Sequence, residues 1–366
     1  VVKISLYQLF CGILFFQQGT TIIFGFSSGA GRDAWIASLC ATLLGVCLVS
    51  LFTVFMRLQS GMTLTEWFPD LFGRWLGVPI AWLYPLLFLY DAGRIISDLK
   101  FTINLIMLPG TPAWAILVAF MLVVVYMLFT GIEGIFRMAG ILVPVVMLLY
   151  ALQVILLMAS GTMHTDYLLP VAGEGWGRIW NNTWPTSVTQ TFGETLLFAM
   201  FWPLVTNQKK VAQTTILVSI CSGVLLTVLN LLMIMTLGEG IYKRSIYPTI
   251  SMLRLISVGD FIENLDALGL MIFILTTFFK LSFYLFGAVF AIRQLTFIKN
   301  ERLFIVPLAA AVFFIGITMA NDIMEHIQVG FIHLQTNLWM PLLIYLPVIL
   351  LPIAWIRKKW MGKGAS

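Results

Sequence analysis

Gln17-Gln18-Gly19-Thr20-Thr21 interrupts the apolar run Ser5–Phe26, and Thr189-Gln190-Thr191-Phe192-Gly193-Glu194-Thr195 interrupts the run Trp184–Val205. The same small and polar residue types thus recur near the middle of two spans, each long enough to cross a bilayer. Hydrocarbon offers no hydrogen bond to a freed peptide group. A glycine-containing polar break at membrane depth therefore survives only against protein or a water-filled cavity. Two such breaks, in matching positions of the two halves of a chain, point to a binding site at the bilayer midplane.

The composition around these breaks is that of a polytopic helical membrane protein. The 366 residues are 60% hydrophobic and 10% charged, against about 25% charged in a soluble domain. Phe, Met and Trp are plentiful, as lipid contact and interfacial belts require. No stretch is long or polar enough for a separate soluble domain, so residues 1–366 read as a single transmembrane domain. The first apolar run lacks a small-residue cleavage site and reads as a retained span, not a signal peptide. The chain opens at Val1 without a Met, so a few native residues are expected to precede it. Cys11, Cys40, Cys47 and Cys221 all fall within apolar spans, with no Cys-x-x-Cys, and His164, His326 and His333 read as loop residues. A disulfide framework, a metal site and a cofactor site are therefore not expected. Neither a Ser-His-Asp or Cys-His order nor a glycine-rich phosphate loop is present, so the chain does not read as an enzyme.

Ten spans are expected: Ser5–Phe26, Ala34–Phe55, Ile80–Met107, Ala113–Thr130, Met138–Ala159, Trp184–Val205, Val211–Leu237, Ala267–Ala291, Leu303–Ala320 and Leu338–Ile356. Pro109 and Pro112 bracket a tight turn after the third. With the amino terminus in the cytoplasm, thirteen Lys and Arg lie inside and five outside. That bias puts both termini inside. It also makes the net charge of +5 a topological signal, with no nucleic acid implied. An even number of spans permits two five-span halves of opposite orientation, about 1–160 and 184–366, joined by the outside segment Gly161–Thr183.

Ionisable residues at membrane depth are costly and usually face the bundle interior. Glu194 and Lys280 are both mid-span. They read as a charge pair, or a charge and a substrate group, across a central cavity; the alternative is a buried pair that only fixes helix register. Arg94 has Asp91 three residues before it and Asp98 four after, which puts all three on one helix face and suggests a self-neutralising cluster. Lys100, nearer a span end, is expected to snorkel.

Helical spacing places Phe273, Thr276, Thr277, Lys280 and Tyr284 in one stripe of the eighth span, and Tyr90, Arg94, Ser97 and Phe101 in one stripe of the third. The two threonines are candidates to hold a ligand or cation, or to bond their own helix carbonyls. If Gln17–Gly19 unwinds, a half-helix beginning near Thr20 would offer free amides and a positive dipole end to a carboxylate. The alternative is an unbroken first helix with a Gln–Thr packing interface. The expected ligand-binding set is Gln17, Gln18, Gly19, Thr20, Thr21, Tyr90, Thr191, Phe192, Gly193, Glu194, Thr195, Phe273, Thr276 and Thr277.

The stretches Gly29-Ala30-Gly31-Arg32-Asp33-Ala34-Trp35-Ile36, Thr63-Leu64-Thr65-Glu66-Trp67-Phe68-Pro69, Phe72-Gly73-Arg74-Trp75-Leu76-Gly77 and Leu108-Pro109-Gly110-Thr111-Pro112 carry a family resemblance. So do Phe192-Gly193-Glu194, Tyr247-Pro248-Thr249, Arg254, Gly259-Asp260-Phe261-Ile262-Glu263, Asp266 and Lys280. In this order they resemble the B subunit of spore germinant receptors, a family related to amino acid–polyamine–organocation transporters. The resemblance implies an all-α fold of ten transmembrane helices, a leucine-transporter-type 5+5 inverted repeat with discontinuous helices one and six. Helices three and eight would then line the same cavity, and Ile241–Ser257 would form an external gating helix. It also implies nutrient sensing in a spore inner membrane, beside an A subunit and a lipoprotein C subunit. Sodium-coupled relatives hold a metal ion between helices one and eight, and Lys280 stands where its ammonium would replace that ion. A receptor subunit that binds a small nutrient, most readily an amino acid, is thus the leading expectation. A proton-coupled amino acid permease and a ligand-free scaffold are the alternatives.

Overall fold

The computed structural model describes residues 3–108, 110–258, 262–263 and 265–363. Pro109 and the motif residues 259–261 lie outside that set. The described chain is helical apart from a two-residue antiparallel pair, β1 (Ser257–Val258) with β2 (Ile262–Glu263). Six helical stretches are long and apolar enough to cross a membrane: Ser28–Leu58, Leu64–Met107, Gly131–Ala159, Gln208–Arg244, Asp266–Thr296 and Ile323–Lys359. Two shorter apolar helices, Ala113–Phe129 and Arg302–Thr318, accompany them.

α1 (Leu6–Gln18) begins at a reciprocal cap: Ser5 accepts from the Gln8 amide while Gln8 accepts from that of Ser5. It ends at Gly19, whose φ of 31° no helix accommodates. No half-helix restarts at Thr20. Residues 19–23 run in turns, and the short 3-10 segment Ser28–Asp33 follows. Neighbouring hydroxyls hold this segment's carbonyls, Thr276 Oγ1 donating to Gly19 O at 2.8 Å and Thr249 Oγ1 to Ile22 O at 2.5 Å. α2 (Ala34–Leu58), α4 (Ala113–Phe129) and α5 (Gly131–Ala159) lie close to the expected spans. α3 (Leu64–Thr102) starts well before Ile80, bends at Gly73 (φ 75°) and continues as a π-helical turn, Ile103–Met107.

The second break is sharper. α6 (Trp176–Thr183) and α7 (Thr186–Thr191) give way at Phe192 to 3-10 segments, Gly193–Met200 and Trp202–Leu204. α8 (Gln208–Arg244) bends at Gly238 (φ 66°), and α9 (Pro248–Arg254) follows, so the expected gating helix is two short pieces. α10 (Asp266–Thr296) and α11 (Arg302–Thr318) match their spans. The last span starts at Ile323, not Leu338: Asp322 caps α12 (Ile323–Gln328) by accepting from the Glu325 amide. It runs on through the π-helical stretch Val329–Tyr345 into α13 (Leu346–Lys363).

α2 packs on α8, α3 on α10 and α11, and α1 against α5, α8 and α10. The two interrupted spans are also joined at one end, where Ile4 N donates to Leu204 O (3.2 Å) and Thr206 N to Ile4 O (2.9 Å). Phe16, Phe136, Phe198, Phe201 and Phe283 fill the space between this junction and the breaks with edge-on and tilted rings.

At the other end of the molecule, Glu239, just past the Gly238 bend, binds Arg32 Nε at 2.8 Å and Arg178 Nη2 at 2.7 Å. Arg178 also donates to Gly29 O (2.9 Å), tying α8, α6 and the loop after the first span together. Gly31 (φ 62°) lies under this network, because a Cβ there would stand 2.2 Å from both Arg178 Nη2 and Glu239 Oε1. Burial opposes ionisation of Glu239, but the hydrogen bonds and charges of Arg178 and Arg32 outweigh it and hold the carboxyl below the usual glutamate range. A depressed carboxyl contributes stability that is present above its ordinary value of 4.5 and lost as pH falls through the lowered one. Glu239→Gln is expected to cost about 1–2 kcal/mol at neutral pH, between the range of exposed pairs and that of charged hydrogen bonds. It should also flatten the acid limb of a pH–stability curve measured by thermal unfolding. An unchanged midpoint and acid limb would refute the account.

Candidate functional site

The two breaks face each other across a small cavity. Thr20 and Phe24 reach it from the first break, Gln190 and Glu194 from the second, and Lys280 and Tyr284 from α10. α3 adds Asp91, Arg94 and Asp98, and the last span adds His326, Phe331 and Trp339. About 40 Å³ is open to the centres of water-sized molecules, where one water requires about 10–15 Å³.

Lys280 Nζ lies 2.7 Å from Glu194 Oε2, and both side chains are almost fully buried. That oxygen has no well-directed hydrogen bond, so charge rather than hydrogen-bond geometry holds the pair. α1 presents its carbonyl end to this point, not an amide end. The Phe16 and Gln17 carbonyls accept no backbone hydrogen bond among the described residues. A cation is stabilised at such a helix end, and the Lys280 side chain packs directly on Gly19: a Cβ at position 19 would stand 2.2 Å from Lys280 Cδ. Beyond the break, the amides of Thr20 and Thr21 find no acceptor among the described residues. One short segment therefore leaves both donors and acceptors free, where an intact helix would have paired them.

The α3 charges do not neutralise one another. Asp98 pairs with His326 Nε2 at 2.8 Å, and Arg94 Nη2 donates to His326 O at 3.0 Å with its guanidinium over the Trp339 ring. Asp91 accepts from Trp339 Nε1 at 2.9 Å. Shared helical face brought the three together, but the last span supplies better-placed partners than their own helix does. His326 is 2% exposed on α12 and is no loop residue. Lys100 does not snorkel into solvent; its ammonium caps α11 through Ile317 O and Ala320 O.

Of the residues singled out from the sequence, Thr20, Asp91, Arg94, Asp98, Glu194, Lys280 and Tyr284 line this cavity. Thr21, Thr191 and Phe192 line a smaller neighbouring one between α2, α7 and α8. Gln17 donates to Thr195 (2.8 Å) and Ser219 (2.9 Å), and Gln18 to Ser222 (2.9 Å), so both glutamines tie the break to α8. Thr276 bonds Gly19 O and also its own helix at Phe273 O (3.1 Å), whereas the Thr277 hydroxyl is buried without a partner. Phe273 is buried in the core, away from the cavity, and Tyr90 is half-buried one residue off the α3 charged face. Gly193 packs on Leu343 outside the cavity lining. The contribution of the last span went unread. Its signal was the cap Asn321-Asp322 followed by Ile323, Ile327 and Phe331 at four-residue spacing.

A polar cavity at the meeting point of two interrupted helices, inside an apolar helical bundle, defines a membrane protein of the secondary-transporter type. Solved structures share this architecture. The nucleobase-cation-symport-1 family transporter Mhp1, in a closed conformation with bromovinylhydantoin bound, superposes with a TM-score of 0.65 at 13% identity, covering 89% of this chain and 74% of its own. MhsT in complex with L-phenylalanine superposes with a TM-score of 0.63 at 14% identity, covering 96% and 97%. Within that class, residues 3–323 match the Spore germination protein (Spore_permease) family model, and the chain belongs to this family. Spore germination protein KB of Bacillus subtilis (strain 168) is 28% identical over 363 residues, covering 98% of this chain and 96% of the relative. Spore germination protein YndE of the same organism is 25% identical over 285 residues, covering 76% and 75%. The family is of a receptor or permease type, integral to a membrane, and is not a known class of enzymes.

Proposed function

We propose that this chain is the nutrient-binding B subunit of a germinant receptor in the spore inner membrane. The single observation that carries the reading is the cavity where Thr20, Glu194 and Lys280 converge from the two breaks and α10. In this reading the chain is one transmembrane domain of ten crossings, in two inverted halves of about 1–160 and 184–366, with both termini cytoplasmic. The packing of the second span on the seventh and the third on the eighth supports the repeat, since each would be its partner's counterpart. The ligand is a small nutrient, most readily an amino acid, a class that an L-phenylalanine complex among the fold's solved relatives supports. Its carboxylate would meet the free amides of Thr20 and Thr21, with Glu194, Lys280 and Tyr284 around the rest. Lys280 would supply the positive charge that a sodium ion supplies in coupled transporters. Binding would shift a two-state arrangement of the broken spans, and an A subunit and a lipoprotein C subunit would read that shift.

Purified protein in detergent should gain several degrees of thermal stability with millimolar glycine or alanine. No stabilisation by any small nutrient would end the binding claim. The runner-up is a proton-coupled amino acid permease, favoured by the transporter structures that share the fold. Counterflow of labelled amino acid into liposomes above background would move the assignment there.

A further inference from the structure

Three carboxylates surround the cavity, but only two permanently cationic side chains do. Glu194 is matched by Lys280. Asp98 is bonded to His326 Nε2, and Arg94 donates to the backbone carbonyl of that histidine. Asp91 is left with one neutral donor, the Trp339 indole N–H, and among the described residues no cationic nitrogen is in ion-pair contact with it. It is 5% exposed. A carboxylate so deeply buried with a single hydrogen bond is expensive unless a cation joins it.

A second observation marks the same spot. The Tyr284 hydroxyl, on a side chain 1% exposed, lines the cavity with no hydrogen-bond partner among the described residues. It shares that lining with Asp91 and Glu194. An unsatisfied buried hydroxyl in the same cavity wall as two carboxylates, only one of which is paired with a lysine, describes a position short of one cation that also donates hydrogen bonds. The Trp339 indole and the neighbouring Phe331 ring give that position an aromatic wall, which suits an ammonium group further.

We propose that Asp91 is the counter-ion for a ligand ammonium group, with Tyr284 as its second contact, so that the cavity selects ligands by a positively charged nitrogen. The inference rests on the nutrient-pocket reading and narrows it: amines and amino acids fit, whereas sugars, polyols and carboxylic acids without an amine do not. The ammonium places three donors where Asp91, Glu194 and Tyr284 have free acceptor capacity. An alkali cation or a proton on Asp91 would balance the same charge, and the test separates them.

The test measures thermal stabilisation of the whole purified protein by glycine, ethylammonium, acetate, glycerol and sodium at matched ionic strength. Glycine and ethylammonium should stabilise the wild type, while acetate, glycerol and sodium should not. Asp91→Asn should weaken glycine at least tenfold. The Asn carbonyl keeps the Trp339 bond, so this variant should unfold at or above the wild-type temperature without ligand. Tyr284→Phe should weaken glycine severalfold. Equal glycine affinity in Asp91→Asn would overturn the proposal, because the amide mimics a protonated carboxyl and a proton alone would then suffice. Sodium stabilisation that vanishes in Asp91→Asn would overturn it in favour of a metal cation. Stabilisation by glycerol or acetate without glycine or ethylammonium would leave the pocket standing and remove this inference. A silent panel removes both.

Discussion

Lys280→Met is expected to lower the unfolding free energy by about 3–5 kcal/mol, because it strands the buried Glu194 carboxylate without a partner. The side chains of Lys280 and Glu194 are 4% and 6% exposed, so the few waters the cavity admits replace the lost ammonium only in part. Methionine matches the length of the lysine stem and leaves little void, which isolates the charge from the packing. The double variant Lys280→Met/Glu194→Gln should recover most of the loss, since replacing both members of a buried pair is often close to neutral. A thermal-unfolding double-mutant cycle reads the coupling directly. The same variant tests the cation role of Lys280: sodium should restore part of the stability or of the ligand affinity. A Lys280→Met protein as stable as wild type and indifferent to sodium would remove both the pair and the cation role.

Gly19→Ala should be nearly as severe, and Gly193→Ala close to silent, although the two glycines mark equivalent breaks in the sequence. At position 19 a Cβ meets Lys280 Cδ at 2.2 Å and Phe16 O at 2.9 Å, with φ at 31°. A left-handed backbone costs an L-residue about 1–2 kcal/mol, and overpacking adds about 1–3 kcal/mol. Relief would come only by moving the lysine stem, which would pull its ammonium from Glu194, so ligand binding should fall along with stability. At position 193 the nearest atom to a Cβ is Leu343 Cβ at 3.5 Å, ordinary contact, and φ is not positive. A change within about 0.5 kcal/mol is expected there. The outcome that contradicts this reading is a Gly19→Ala protein with wild-type midpoint and glycine affinity.

That asymmetry shows how far the sequence could be read. Both breaks stood out because polar residues and glycine are conspicuous in hydrocarbon. Their local geometry did not, since it depends on distant side chains. Thr276 and Thr249 bond the carbonyls of Gly19 and Ile22 after the first break, and no spacing within the first span announces them. Gln17 and Gln18 looked like ligand contacts and instead bond Thr195, Ser219 and Ser222. Amide side chains serve either purpose, and only the packing of α1 on α8 chooses between them.

Asp91, Arg94 and Asp98 are the clearest case. Their spacing fixed the shared face, because helical rotation is a local property. Their partners, His326 and Trp339, sit more than two hundred residues along the chain, on a span whose start was placed too late. Membrane helices are apolar nearly all round, so hydrophobic periodicity does not reveal which face turns inward. The amino-acid sequence by itself determined that this chain lives in a bilayer, where its helices break and which charges the bilayer must not see. The tertiary structure alone decided which charge meets which, because ion pairing is settled by the approach of helices remote in sequence, and it left Asp91 bonded to the Trp339 indole with no ion-pair contact among the described residues.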